Sequence, residues 1–395
     1  MDHHILCINS GSSSMKFALY RIGVEEQLVA EGAVERIGVP GGRLSLKDGA
    51  GTRLTDRQRD FPDHGKAVKA MFTTAIEKYR LPRPDGVGHR LVHGGPEHMA
   101  PEIVNPDLIL TLYELIPFAP LHLPGEIRGI DAVAKHYPGL SQVVCFDSAF
   151  HRGMPEIARR LPLPRNLWDE GIYRYGFHGL SYEYIVGFLR ERARGRMIAA
   201  HLGNGASMAA ILDGRSIETT MGFTPIGGFM MGTRSGDLDP GVLVYLMEEK
   251  GYDAPQLEKL LNHRSGLIGV SGITSDMKTL LEKRSTEPHA ALAVEMFCYQ
   301  ARKAIGALTA VLGGLDSLVF TGGIGEQAAP IRWMICQGLE YLGIRLDEGK
   351  NDTHAEIISP DGSRCIVRVI HTNEDLMIAR HTRRLLFPPD ESGSA

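Results

Sequence analysis

At 395 residues the chain is long enough for two domains with substantial cores, and 43% hydrophobic against 23% charged residues is the mix of a globular protein rather than a disordered or fibrous one. A net charge of −4, from 43 basic and 47 acidic residues, excludes the basic footprint of a nucleic-acid or anionic-membrane binder. No apolar run is long enough to cross a bilayer, no charged-then-apolar leader opens the chain, and five scattered cysteines without a Cys-x-x-Cys pair argue against disulfides and zinc and for a reducing cytoplasm.

In chain order, Ile5 to Tyr20 is an apolar run, a Gly11-Ser12-Ser13-Ser14 turn and a second apolar run, which predicts a β-hairpin. Such a turn leaves backbone N–H groups and hydroxyls free for a phosphate, with Lys16 just beyond, although an ordinary solvated turn reads the same way. Short strands follow at Glu31 to Ile37 and Gly42 to Lys47, then a Gly/Asp-rich loop at Asp48 to Thr55. His64 to Tyr79 has Val68, Met71, Phe72 and Ile76 at helical spacing. Gly86 to Leu91 is a strand running into Gly94-Gly95, and an Arg90 flanked by glycines that admit a ligand is an anion-site candidate. A proline-punctuated loop, Pro117 to Pro124, carries His122. The strand from Gln142 to Phe146 ends in Asp147, facing a site at a sheet edge or capping the next element. His178 sits between Gly176 and Gly179.

The second half repeats the opening device. Met197 to Leu212 is strand, Gly203-Asn204-Gly205 turn, strand, and Asp213-Gly214 turns tightly into a third strand at Ser216 to Thr220. Gly11 falls on Gly203, so the chain reads as two related α/β domains facing a shared cleft. A glycine-rich loop, Met221 to Pro240, surrounds Arg234, read as buried with a partner or ligand. Helices follow at Asp239 to Gly251, Ala254 to Asn262 and Pro288 to Leu312. Leu315 to Phe320 is a strand entering a Gly322-Gly323-Ile324-Gly325 turn and a helix onset, suited to a flat ligand or phosphate. A strand from Cys365 to Ile370 precedes Thr372 to Asp375, which cap a last helix, Leu376 to Leu386.

Taken in order, Asn9-Ser-Gly-Ser-Ser-Ser-Met-Lys16, Gly88-His-Arg-Leu-Val-His-Gly-Gly95, Phe146-Asp-Ser-Ala-Phe-His151, Arg174-Tyr-Gly-Phe-His-Gly179, His201-Leu-Gly-Asn-Gly205, Met221-Gly-Phe-Thr-Pro225, Met231-Gly-Thr-Arg-Ser-Gly-Asp-Leu-Asp-Pro240, Phe320-Thr-Gly-Gly-Ile-Gly-Glu326 and Thr372-Asn-Glu374 resemble the acetate kinase family over nearly the whole chain. The resemblance implies two duplicated ribonuclease H-like domains of the actin-like ATPase class with the nucleotide in the cleft between them. It divides the chain into 1–148 plus about 376–395 and 149–375, assembled as a homodimer. The implied reaction is reversible transfer of the ATP γ-phosphoryl group to acetate, giving acetyl phosphate and ADP by in-line displacement. Propionate or another short-chain acid is the alternative acceptor. A nucleotide-operated binding module would need a further peptide-binding domain, and a sugar kinase would not need paired arginines.

Residue by residue, the resemblance assigns Asn9 and Glu374 to Mg²⁺, with Mn²⁺ as a substitute. Ser12, Ser14 and Lys16 go to the ATP phosphates, as do His201, Leu202, Gly203, Asn204 and Gly205. Asp276, Met277 and Lys278 go to the adenosine side, with Gly322, Gly323, Ile324, Gly325 and Glu326. Arg90 and Arg234 bracket the carboxylate and the phosphoryl group; His178 and Arg234 stabilise the transition state, His122 assists, and Asp147 orients an arginine or metal-bound water. Val92, Leu121, Phe177 and Pro225 form the pocket for the methyl group. Three departures from the family pattern are Leu123 within His122-Leu-Pro124, Leu180-Ser181-Tyr182 after His178-Gly179, and Lys278 where arginine is common.

Overall fold

The opening hairpin forms where its apolar arms predict it. Strand β1 (His3–Ser10) pairs antiparallel with β2 (Ser14–Ile22), setting Asn9 opposite Lys16 across the turn. β3 (Glu26–Glu35), β4 (Arg43–Asp48) and β5 (Arg53–Gln58) continue the antiparallel meander. The loop expected from Asp48 to Thr55 is therefore shorter, because Arg53–Gln58 pairs with β4 although it is largely polar: an edge strand needs only one buried face. β6 (Gly86–Leu91) runs parallel to β1, β7 (Glu102–Ile103) is a short edge, and β8 (Ser141–Phe146) runs parallel to β6. The sheet order is β5-β4-β3-β2-β1-β6-β8-β7.

The computed structural model describes residues 1–388. The described chain divides into two units: Met1–Ala149 with residues 373–388, and Phe150–Thr372; the part of the expected 376–395 segment beyond 388 lies outside the described residues. In the first, the helix His64–Phe72, capped by Asp63 and continuing as a π-helical turn over Thr73–Lys78, buries Val68, Met71 and Phe72 against Phe17, Leu19 and Leu46 of the sheet. The proline-rich loop gives way to a helix, Leu123–His136, since proline is tolerated in a first helical turn where no N–H is needed. The C-terminal helix Glu374–Leu386 packs on β1, β6 and β8. Gly88 of β6 permits this approach: a Cβ there would lie 2.3 Å from Thr382 Oγ1 and 2.4 Å from Ile378 Cγ2. Asn373 caps the helix by accepting from the Leu376 N–H and receives the Tyr20 hydroxyl at 3.1 Å.

The second unit repeats the plan. β9 (Arg196–Leu202), β10 (Ala206–Leu212) and β11 (Arg215–Thr219) form an antiparallel meander, and β12 (Ser317–Thr321) and β13 (Ile366–Val369) add parallel on the β9 side. The order β11-β10-β9-β12-β13 matches β3-β2-β1-β6-β8 strand for strand and direction for direction. The two turns also correspond, Gly11 N–H donating to Ser14 O at 2.7 Å and Gly203 N–H to Gly205 O at 3.0 Å. This is the duplicated ribonuclease H-like topology. The 25-residue helix Pro288–Leu312 spans the residues its apolar spacing predicts and turns Ala293, Phe297, Ala301 and Ile305 into the core.

Candidate active site

In the first unit the candidate site is built around Arg90. The residue is the last but one of β6, where it pairs in register with Cys145 of β8, and the Asp147 N–H donates to Leu91 O at 2.9 Å. That register faces the two side chains: Arg90 Nε and Nη2 donate to the two oxygens of Asp147 at 3.0 and 2.6 Å. Asp147 is 1% exposed and Arg90 19%, so the carboxylate fixes the fork while Nη1 is left as the edge a ligand can reach. Glu374, brought in at the start of the C-terminal helix, lies 3.8 Å from Arg90 Nε. Burial works against the arginine's charge, but Asp147, Glu374 and Glu126 outweigh it and hold the guanidinium protonated.

Glu126 has no counterpart among the residues singled out by motif. It lies in the first turn of Leu123–His136, and both its oxygens accept from the Val92 N–H, at 3.2 and 3.1 Å. Burial, opposed by that hydrogen bond and by Arg90, pushes its pKa up to about 8. His122 sits at the N-terminus of this helix without capping it through its side chain. Val92 is buried and Leu121 half-buried. Asn9 is half-buried at the end of β1, and Ser12, Ser14 and Lys16 are exposed around the first turn.

In the second unit the turn between β9 and β10 is the centre. A Cβ on Gly205 would lie 3.3 Å from His178 Nε2 and 3.4 Å from Arg234 Nη1, so both cationic or polar heads meet at this glycine. A Cβ on Gly203 would lie 3.7 Å from His201 Nε2. His178 and His201 stack with centroids 4.3 Å apart. His178 holds φ +58°, ψ +25° just ahead of the helix Gly179–Leu189, a left-handed conformation that a side-chain-bearing residue keeps only under constraint. Part of that constraint is His151. Its Nδ1 lies 2.8 Å from Ser216 Oγ and its Nε2 3.0 Å from Phe177 O, while burial pulls its pKa down to about 4 and keeps it neutral.

Arg234 is half-buried rather than buried: it lies in a glycine-rich loop, where its Nη1 donates to Pro225 O at 3.2 Å. Asn204 is exposed at the tip of the turn and its carbonyl accepts from the Gly232 N–H at 2.9 Å.

The remaining nucleotide candidates divide by exposure. Gly322 needs its φ of +75°, with a Cβ there only 2.8 Å from Leu202 O, and Gly323 is exposed. Ile324 is half-buried. Glu326 turns inward: it accepts from the Gly322 N–H at 2.9 Å and the Thr372 N–H at 3.2 Å and pairs with His371, so it braces the glycine turn. Gly325 is buried, its carbonyl taken by Arg332. The side chains of Leu202 and Met277 are in the core, Asp276 caps the helix Met277–Lys283, and Lys278 is exposed. Phe177 is buried and Pro225 half-buried. Of the two residues that hold His178, Ser207 carries no motif signal of its own, and Tyr182 stands out in the sequence only as a departure from the family pattern.

Among known proteins, a model of the acetokinase family matches residues 4–380. The chain is 46% identical to an acetate kinase of Rhodopseudomonas palustris, over 98% of this chain and 99% of that one. Of solved structures, a Porphyromonas gingivalis acetate kinase (39% identity, TM-score 0.89) covers 97% of this chain and 100% of its own length. A Francisella tularensis propionate kinase (35% identity, TM-score 0.91) covers 97% and 99%.

Proposed function

The chain belongs to the acetokinase family, and on that premise we propose that it works as an acetate kinase, moving the γ-phosphoryl group of ATP to a carboxylate oxygen of acetate and, in reverse, from acetyl phosphate to ADP. The observation that carries the reading is the charge arrangement: Arg90 locked by Asp147 with an edge left over, and Arg234 and His178 converging on a glycine turn. A carboxylate acceptor is already ionised and needs no general base. The protein's work is to hold two anions together while charge spreads over the equatorial oxygens of the transferring group.

In this reading Arg90 binds the carboxylate, and Arg234 and His178 Nε2 bind the phosphoryl oxygens. Ser12, Ser14, Lys16, Asn204 and Gly205 bind the ATP phosphates. An arginine bound to the transition state is worth three to five powers of ten in rate, about 4–7 kcal/mol. We assign recognition of the acyl group to Val92, anchored through its N–H to Glu126, and Leu121 in the first unit and to Phe177 and Pro225 in the second. One added methylene changes specificity by about 10–200-fold, so propionate is the slower substrate.

Asn9 and Glu374 would hold Mg²⁺. The donor set fits: both offer hard oxygens, and Glu374 is 20% exposed at the start of the C-terminal helix. Such a site suits an ion that keeps water and phosphate as its other ligands. When bound, Mg²⁺ offsets the phosphates' negative charge. We further read the chain as a homodimer, because the helix Pro240–Lys250 buries none of its residues and exposes Val244, Tyr245 and Met247, each about half exposed.

The test is hydroxylamine trapping of the acyl phosphate made from Mg-ATP with acetate, propionate or butyrate. Acetate is expected to give the highest turnover. No product with acetate beside strong turnover of a longer acid would make this a different short-chain acyl kinase.

A further inference from the structure

His178 is held from behind by two hydroxyls. Ser207 Oγ lies 2.9 Å from His178 Nδ1, and the Tyr182 hydroxyl lies 2.5 Å from Ser207 Oγ. All three residues are buried. Tyr182 is one turn into the helix that starts after His178, and its N–H donates to the His178 carbonyl at 3.2 Å, so backbone and hydroxyl chain fix the same turn. Ser207 sits on β10, paired with His201 of β9.

The order of donors decides which ring nitrogen carries the proton. A serine hydroxyl has one hydrogen to give, a phenol is the more acidic hydroxyl, and a hydroxyl that accepts becomes a better donor. Tyr182 therefore donates to Ser207 and Ser207 to His178 Nδ1. Nδ1 is then the acceptor, and the neutral ring keeps its proton on Nε2, the atom beside Gly205 and Arg234. We propose that Tyr182, acting through Ser207, is a positioning residue that holds His178 in its Nε2–H form as a hydrogen-bond donor towards an anion at the β9–β10 turn. The stacked ring follows the same rule: Ser181 Oγ, on the same helical turn, lies 2.9 Å from His201 Nδ1. Two imidazoles this close do not both take a charge readily, so neutral Nε2–H donors are the form in which the pair can serve one anion.

This rests on the reading of the turn as a phosphoryl site, and the experiment separates the two. Ring-¹⁵N-histidine NMR of the ligand-free protein is expected to show His178 protonated at Nε2 and bare at Nδ1. In Tyr182→Phe, which keeps the ring, His178 should move towards a mixture of tautomers, and Ser207→Ala should do the same. Acyl phosphate formation by Tyr182→Phe should fall about tenfold in kcat, the loss of one hydrogen bond's influence, with KM for acetate and ATP within about twofold of wild type. A wild-type His178 protonated at Nδ1, or a Tyr182→Phe protein with unchanged His178 signals or unchanged kcat, would overturn the proposal. A wild-type protein that makes no acyl phosphate would instead refute the kinase reading, while the ¹⁵N signals would still decide the tautomer.

Discussion

Replacing Glu126 with Gln isolates one buried charge. Glu126 is 3% exposed, and burial pushes its carboxyl up to about 8 from the ordinary 4.5. Burial is the main cause, the negative charge of Asp147 adds to it, and the Val92 N–H and Arg90 oppose it. A carboxyl with a raised folded pKa binds a proton in the folded chain that the unfolded chain has already released. Stability therefore falls as pH rises from about 4.5 to about 8 and is level above that. At about 1.4 kcal/mol per unit, the loss between pH 5.5 and pH 9 is about 3 kcal/mol. Glutamine keeps a carbonyl acceptor for the Val92 N–H and cannot ionise. Glu126→Gln should therefore gain about 3 kcal/mol on wild type between pH 5.5 and pH 9 in urea unfolding. Parallel stability curves across that range would refute the reasoning.

Arg234→Ala should lower kcat by about three to five powers of ten with an unchanged circular dichroism spectrum; near-normal turnover would undo its role. Arg90→Ala should be equally slow and also less stable by about 3–5 kcal/mol, because it strands the Asp147 carboxylate at 1% exposure. Arg90→Lys, which keeps a cation there, should recover most of that stability but little of the rate, and full recovery of the rate would show that the bidentate fork is not needed. Gly205→Ala puts a methyl 3.3 Å from His178 Nε2; misplacing that head should cost about a hundredfold in kcat, and an unaffected kcat and ATP KM would remove the turn from the site. Val244→Asp, on the uncovered face of Pro240–Lys250, should yield monomers in sedimentation equilibrium, and a species of unchanged mass would place the assembly elsewhere.

Local chemistry wrote itself plainly into the chain. The two Gly/Ser/Asn turns between short apolar runs, the helical spacing of Pro288–Leu312 and the capping residues before Glu374 depend on neighbours a few positions apart, so they were legible without a structure. Duplication was legible too, because each turn sits between strands of matching length. The polar strand Arg53–Gln58 and the helix hidden under Pro124 were not: one is stabilised by its neighbour β4, the other by packing on β1 and β6.

The candidate residues themselves came from motifs; their partners came only from tertiary structure. Arg90 meets Asp147 because β8 runs beside β6, and meets Glu374 because glycine at position 88 lets the last helix settle on the sheet. The Glu126 carboxyl is pushed up to about 8 because tertiary packing buries it, a rise that the Val92 N–H only partly opposes. His178 is held through Ser207 because β10 brings that hydroxyl up behind the ring. Sequence by itself determines which groups are present and the local turns that carry them. Strand order and helix docking decide which groups share a low-dielectric site, and the charge and proton position of each group depend on that sharing.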